Sequence, residues 1–313
     1  MTARPLDVLT LADEAFAVPL AVLGRSIADH LSPGCFVRLT VLDGGLSPAS
    51  IALCRESWGE RIRPEFVRPS RAPWPRLVSR GRIPLLTFER LRVGSLLPRD
   101  RERALILDAD QLVRADIAPL FDVPFDGAVA LAPADAFIPT LGSPLGLERP
   151  ERWRLRSDQP FLCGAVVMLD LPAWRSGGFE EAAVRVVSDH HETLLTYDQD
   201  VLNIVLSGCW RALDPRWQHQ PRLENLGHSR GPAAEPAVVH FSGRLKPWLY
   251  RGRSRWDREF LAALARTAFG DVRPRHSLRS WLWTAYDTPL RRLTYPLEWR
   301  IERLFRRVTR EQA

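Results

Sequence analysis

A chain of 313 residues, 45% hydrophobic and 26% charged, has an ordinary globular balance and enough length for one large α/β domain, which excludes a wholly disordered protein. No apolar run reaches the roughly 18 residues that a spanning helix needs. The acids Asp7, Asp13 and Glu14 come too early for a secretory leader, and the four cysteines lack CxxC spacing, so the chain reads as cytoplasmic, without a zinc site or disulfide framework.

In chain order, 6–11 is a short apolar strand, 15–30 a helix and 35–42 a second strand closed by the turn at Asp43-Gly-Gly. Residues 49–61 read as helical, 68–84 as a loop rich in Pro and Arg, and 88–96 as a helix. A buried strand at 104–107 ends in Asp108-Ala109-Asp110. Residues 127–132 are a strand candidate, 134–160 a long loop, and 161–171 a strongly apolar strand. Helices are expected near 172–188 and 198–206, and 237–241 is expected to close the body with a last strand. Strands alternating with helices imply a mostly parallel central sheet flanked by helices, with ligands at the carboxyl ends of the strands.

Asp108 and Asp110 are two apart at a strand end, so both carboxylates face one way while Ala109 faces the other. Paired hard oxygen ligands suit Mg²⁺ or Mn²⁺, although a polar strand terminus is the bland alternative. A second cluster, Val238-Val-His240-Phe-Ser-Gly243-Arg-Leu-Lys246-Pro-Trp248, offers an imidazole just after an apolar strand. It adds a glycine where backbone could approach a phosphate, and the only lysine among 44 basic residues. The near-total use of Arg suggests a GC-rich bacterial genome.

The chain resembles the family 8 glycosyltransferases, retaining enzymes that include bacterial lipopolysaccharide and lipooligosaccharide galactosyl- and glucosyltransferases. The resemblance rests on Leu11-Ala-Asp13-Glu-Ala-Phe16, Val41-Leu-Asp-Gly-Gly-Leu-Ser47, Phe88-Glu-Arg90-Leu, Leu107-Asp-Ala-Asp110, Phe161-Leu-Cys-Gly164, Tyr197-Asp-Gln-Asp200-Val-Leu-Asn203 and His240-x-x-Gly243-x-x-Lys246-Pro-Trp248, in that order over residues 6–250. It implies a GT-A type nucleotide-diphospho-sugar transferase fold, with a catalytic domain over 1–255 and a helical basic segment over 256–313. It further implies that Asp13 and Phe16 hold the uracil of a UDP-sugar, and that Asp108, Asp110 and His240 ligate Mn²⁺ (or Mg²⁺). The Asp108-Ala109-Asp110 stretch would lie on the nucleotide, with Gly243 and Lys246 on its phosphates. Arg90 would approach the nucleotide or the donor sugar, and Asp135, Cys163, Asp198 and Gln199 would face that sugar, Gln199 nearest the anomeric carbon, with Asp198 and Gln199 the catalytic pair. The thiol of Cys163 itself reads as a packing group. Leu162 stands where the family usually has Asn, Ala15 where Asn is common, and Phe16 where Tyr is usual. These departures bear on the identity of the donor sugar.

The expected reaction moves galactose or glucose from UDP-hexose to a saccharide or glycolipid acceptor. The rivals are a sugar-nucleotide nucleotidyltransferase, whose Gly-rich phosphate loop is not found near Thr10, and a catalytically idle homologue that binds glycans or a partner. Of the net +7, residues 273–313 carry +6: ten Arg oppose Asp287, Glu298, Glu302 and Glu311. The body is near neutral, which argues against a nucleic-acid partner. As a helix, 297–308 would align Leu297, Ile301, Leu304, Phe305 and Val308 opposite an Arg-rich face. That pattern suits an anionic membrane, here the cytoplasmic face of the inner membrane, the alternative being a helix packed on the body with a solvated Arg face.

Overall fold

The computed structural model describes residues 3–70, 86–221, 235–243, 246–250 and 254–274. Three strands open the chain: β1 (Arg4–Ala12), β2 (Cys35–Asp43) and β3 (Ile62–Val67), with helices α1 (Ala17–His30) and α2 (Pro48–Trp58) crossing between them. After the single-turn helices α3 (Leu86–Glu89) and α4 (Val93–Leu96), the chain forms β4 (Arg103–Leu107), β5 (Gln111–Val113), β6 (Ala130–Ala132) and β7 (Val166–Asp170). There follow α5 (Leu171–Ser176), α6 (Phe179–His190), α7 (Asp198–Val205), β8 (Trp210–Ala212), β9 (Val238–His240) and α8 (Arg255–Leu264).

Seven strands make one sheet in the order β3-β2-β1-β4-β7-β6-β8, and β7 alone runs against its neighbours. Strands this apolar are stable only when both faces are covered, and their residues sort by alternation. Leu6, Val8, Leu105, Leu107, Val166 and Met168 pack with α1, α2 and α8 in one core. Leu9, Ala104, Ile106, Val167 and Leu169 pack with α5, α6 and α7 in the other. The result is a three-layer α/β/α body.

The chain winds outward from β1 to β3 and then returns to place β4 on the other side of β1. Ligands in such sheets bind at this reversal, outside the carboxyl ends of the two central strands. Asp13 follows β1 there and Asp108 follows β4.

Several expected elements are redrawn. The helix expected over 49–61 stops at Trp58, where Gly59 turns with φ +64°. Beyond it β3 forms an edge strand, the place that tolerates its Pro64. The helix expected over 88–96 is two single turns around a 3-10 turn, Arg90–Arg92. The strand expected over 161–171 is confined to β7, because Asn203 ties up the backbone of Leu162 and only an isolated bridge joins Leu162 to Ala134. The helix expected over 172–188 breaks at Gly177-Gly178, Gly178 having φ +67°. The last strand, β9, does not join the main sheet; it pairs antiparallel with β5, Gln111 opposite His240. Most of the 68–84 loop lies outside the described residues.

The helix α8 begins with a capping box between Ser254 and Asp257, and its Trp256, Phe260, Ala263 and Leu264 enter the core beside α1. Between α1 and α2, the Trp58 indole N–H donates to the Ala21 carbonyl at 3.1 Å, and Gly24 leaves room for the ring.

Candidate active site

The β5–β9 ribbon brings two remote motifs together. Strand β4 ends at Leu107, Ala109 turns into the core, and the carboxylates of Asp108 and Asp110 meet the imidazole at the end of β9. His240 Nε2 is 3.2 Å from Asp110 Oδ1 and 3.6 Å from Asp108 Oδ2. Among the described residues, these three are the group whose ligand atoms, all within 4.8 Å of one another, could hold a metal ion. One imidazole nitrogen and two carboxylates suit Mn²⁺ or Mg²⁺. Burial would push the Asp110 carboxyl up, but the Lys246 ammonium and the His240 ring outweigh it and hold it well below the usual carboxylate range. Burial pulls His240 down, and the charge of Asp110 more than reverses this.

Lys246 is no solvated surface residue. Its side chain is 12% exposed, its ammonium pairs with Asp110 and donates to the Phe241 carbonyl at 2.7 Å, and it lies over the rings of Phe16 and Trp248 at 5.6 and 5.5 Å. Phe16 closes the 3-10 turn Glu14–Phe16 and meets Trp248 edge-on at 5.9 Å. Glu14 secures that turn by accepting from the Ser47 N–H (2.7 Å) and the Ser50 hydroxyl (2.8 Å). Among the described residues, the buried Asp13 Oδ1 has no hydrogen-bond partner, which leaves it an acceptor open to a donor. Gly243 has φ +86°, a backbone that side-chain-bearing residues adopt with strain.

A second set of polar groups runs from the carboxylates to α7. The buried Arg90 guanidinium donates to Asp108 at 2.6 Å and also pairs with Asp198, whose other oxygen accepts from Thr87 at 2.7 Å. Burial works against the Arg90 charge, yet Asp198 and Asp108 raise its pKa further. At Asp198 burial prevails over Arg90 and raises the carboxyl. Gln199 is held at both ends: its Oε1 accepts from the Gly164 N–H and its Nε2 donates to Asp135, each at 3.0 Å. Asp135 also accepts from the Phe137 and Ile138 N–H groups, and burial raises its pKa despite these bonds. A Cβ at Gly164 would stand 3.3 Å from the Gln199 side chain, so glycine here leaves that side chain undisturbed.

The turn that delivers Asp198 and Gln199 is strained. Tyr197 has φ +59° and ψ −118°, an uncommon backbone for a bulky residue. Asp200 compensates by accepting from the N–H groups of Leu195 and Thr196 and from the Thr196 hydroxyl.

Of the sequence-predicted residues, Asp108, Asp110, His240 and Lys246 form one contact group with Phe16. Arg90, Asp198, Gln199 and Asp135 are linked beside it, Arg90 joining the two sets. Asp13 and Gly243 lie at the carboxyl end of β1 and just beyond β9 respectively. Cys163 is buried, and burial pushes its thiol well above the ordinary range, as befits packing. Leu162, fully buried, faces the apolar core. The sequence assigns no role to Thr87, Asn203, Gln218 or Trp248: Asn203 and Trp248 lie within the family-like motifs, whereas Thr87 and Gln218 carry no motif signal.

The profile of glycosyl transferase family 8 matches residues 13–252. The chain belongs to glycosyltransferase family 8. It is 24% identical over 283 residues to general stress protein A of Bacillus subtilis, covering 85% of this chain and 96% of that protein. It is 28% identical over 173 residues to lipopolysaccharide 1,2-glucosyltransferase of Escherichia coli, covering 51% of this chain and 48% of that enzyme. The fold is similar to that of the galactosyltransferase LgtC solved with donor and acceptor sugar analogs, with TM-score 0.69 and 22% identity over 89% of this chain and 100% of that one. The architecture is thus GT-A type, and the family 8 chain is a glycosyltransferase rather than a nucleotidyltransferase. Among its described residues no helix is long and apolar enough to cross a membrane.

Proposed function

We propose that this chain is a retaining hexosyltransferase that moves galactose or glucose from a UDP-sugar to a saccharide or lipid-linked glycan. The observation that carries the reading is the convergence of Asp108, Asp110 and His240 at the chain reversal, tied through Arg90 to Asp198 on α7. Those three residues would hold Mn²⁺ or Mg²⁺, and a divalent cation there supplies positive charge against the departing diphosphate. A glucosyltransferase of lipopolysaccharide and a galactosyltransferase among the similar proteins favour a hexose.

Each remaining residue has a task suited to its chemistry. Asp13 Oδ1 accepts the uracil N–H, and Phe16 offers a stacking face. Lys246 and the Gly243 backbone meet the diphosphate, where a fixed positive charge is worth most as negative charge develops. Arg90, Asp135, Asp198 and Gln199 orient the donor sugar, and Cys163 shapes its pocket by packing. Asp198 has both oxygens engaged and Gln199 is a neutral amide held at both ends, so each is a poor nucleophile. That favours attack by the acceptor hydroxyl on the face the diphosphate leaves: its oxygen bonds the anomeric carbon, the carbon–phosphate-oxygen bond breaks, and the hydroxyl proton passes to the departing oxygen. Retention follows without a covalent glycosyl-enzyme.

Residues 273–313, outside the described residues from 275 on, would dock the enzyme on an anionic membrane at the cytoplasmic face, where lipid-linked acceptors are displayed. The donor is tested by incubating the full chain with UDP-glucose, UDP-galactose or UDP-N-acetylglucosamine and Mn²⁺, without acceptor, and measuring UDP. Release from one of the two hexose donors, abolished by EDTA, is expected. Release from none of them would favour a catalytically idle homologue.

A further inference from the structure

We infer that Gln218 is a positioning residue that fixes which nitrogen of His240 carries the proton, so that Nε2 presents a lone pair to the cation. The inference rests on reading Asp108, Asp110 and His240 as one cation site.

Gln218 directly follows the 3-10 turn Pro215–Trp217, capped by the Asp214 side chain. The segment then runs alongside β9: the His219 N–H donates to the Val238 carbonyl at 3.0 Å, and the His240 N–H donates to the His219 carbonyl at 2.7 Å. Backbone bonds therefore hold the Gln218 side chain beside the imidazole, on the edge away from the carboxylates. The residue is 4% exposed, and its amide nitrogen lies 3.0 Å from His240 Nδ1. Its carbonyl Oε1 is buried and bonded to no donor among the described residues.

A neutral imidazole has one N–H, and a cation can be ligated only by the other nitrogen. Nε2 faces Asp108 and Asp110, so ligation there requires the proton on Nδ1, and a buried Nδ1–H requires an acceptor. Gln218 can serve either state. With its amide nitrogen on Nδ1 it donates, and the ring proton sits on Nε2 toward the carboxylates. A half-turn of the terminal amide exchanges nitrogen and oxygen in place, and Oε1 then accepts from Nδ1–H. Because Oε1 is engaged with no donor, the half-turn breaks only the bond that it replaces. A neutral amide also adds no further negative charge to a site that already has two carboxylates.

The test compares Gln218→Leu, which can neither accept nor donate, with Gln218→Glu, which in ionised form only accepts. Mn²⁺ affinity is read by electron paramagnetic resonance of the free ion, with saturating UDP and the full chain. Gln218→Leu is expected to weaken Mn²⁺ binding by about 10- to 100-fold, and Gln218→Glu to bind at least as tightly as the wild type. Wild-type affinity in Gln218→Leu, or equal weakening in both variants, overturns the inference. Absence of Mn²⁺ binding by the wild type overturns the underlying cation reading instead. Should Gln218→Leu fail to fold, the decisive readout is ¹⁵N-histidine NMR of the wild type loaded with Mg²⁺ and UDP. A proton on His240 Nδ1 is expected, and an unprotonated Nδ1 overturns the inference.

Discussion

The Lys246 ammonium lies against a carboxylate, a backbone carbonyl and two aromatic rings, in a space that suits a compact point charge. Arginine keeps the charge but is a larger planar fork. Lys246→Arg is expected to lower UDP release by about tenfold or more, since misplacing one charge-stabilising group commonly costs that much; wild-type kcat would contradict the role. Asp200 supplies a pH signature. Burial pushes its carboxyl up to about 6 although three hydrogen bonds pull it down. The unfolded carboxyl titrates near about 4, so between these values the folded protein holds a proton that the unfolded chain has lost. Stability is then fully present below about pH 4 and falls as pH rises through about 6, by on the order of 3 kcal/mol. Asp200→Asn should flatten that slope in urea denaturation at pH 4, 5, 6 and 7; an unchanged slope contradicts the assignment. At this scale Asp108 and Asp110 are legible from their spacing, His240 from its place after an apolar strand and Lys246 as the only lysine, with their joint role implied by the family resemblance. Thr87 and Gln218 are not, since they reach Asp198 and His240 from distant segments of common residue types.

The helix pair α1–α2 sets one side of the sheet on which β1 delivers Asp13. Replacing glycine by alanine inside a helix usually stabilises by roughly 1 kcal/mol. At Gly24 the sign reverses, because a Cβ would stand 2.3 Å from Trp58 Nε1. Gly24→Ala is expected to destabilise by about 1–3 kcal/mol through overpacking and loss of the indole hydrogen bond, read from the urea midpoint; a stabilised variant would show that α1 and α2 have room to separate. The long apolar strands β1, β2 and β4 were readable from the chain, as was α1. The strands β3, β5 and β8 were not: three of six residues in β3 are charged or proline, and the others have three residues each. Such strands are specified by their neighbours rather than by a local pattern. For the same reason the sequence predicts that 237–241 closes the body, whereas the structure pairs it with the unforeseen β5 in a separate ribbon, which brings His240 to the two aspartates.

At the scale of the whole molecule, the sequence separates a near-neutral body from a basic terminal segment. Every site residue lies upstream of residue 273. A protein ending at residue 272 should remain folded and still release UDP, yet lose binding to vesicles containing anionic lipid, because it sheds +6 of the net +7 and three Trp. Each Arg near such a surface contributes on the order of 1 kcal/mol, and the apolar side chains add insertion that salt does not screen. Equal co-sedimentation of the two forms would reject the docking role. On the proposed function, UDP-sugar chemistry depends on a cation held by Asp108, Asp110 and His240. Calorimetric titration of UDP into the full chain, once with Mn²⁺ and once with EDTA, tests it most directly. UDP binding with Mn²⁺ is expected to weaken at least about tenfold in EDTA and to become insensitive to Mn²⁺ in Asp110→Ala and His240→Ala. Equal UDP affinity in Mn²⁺ and EDTA would contradict it.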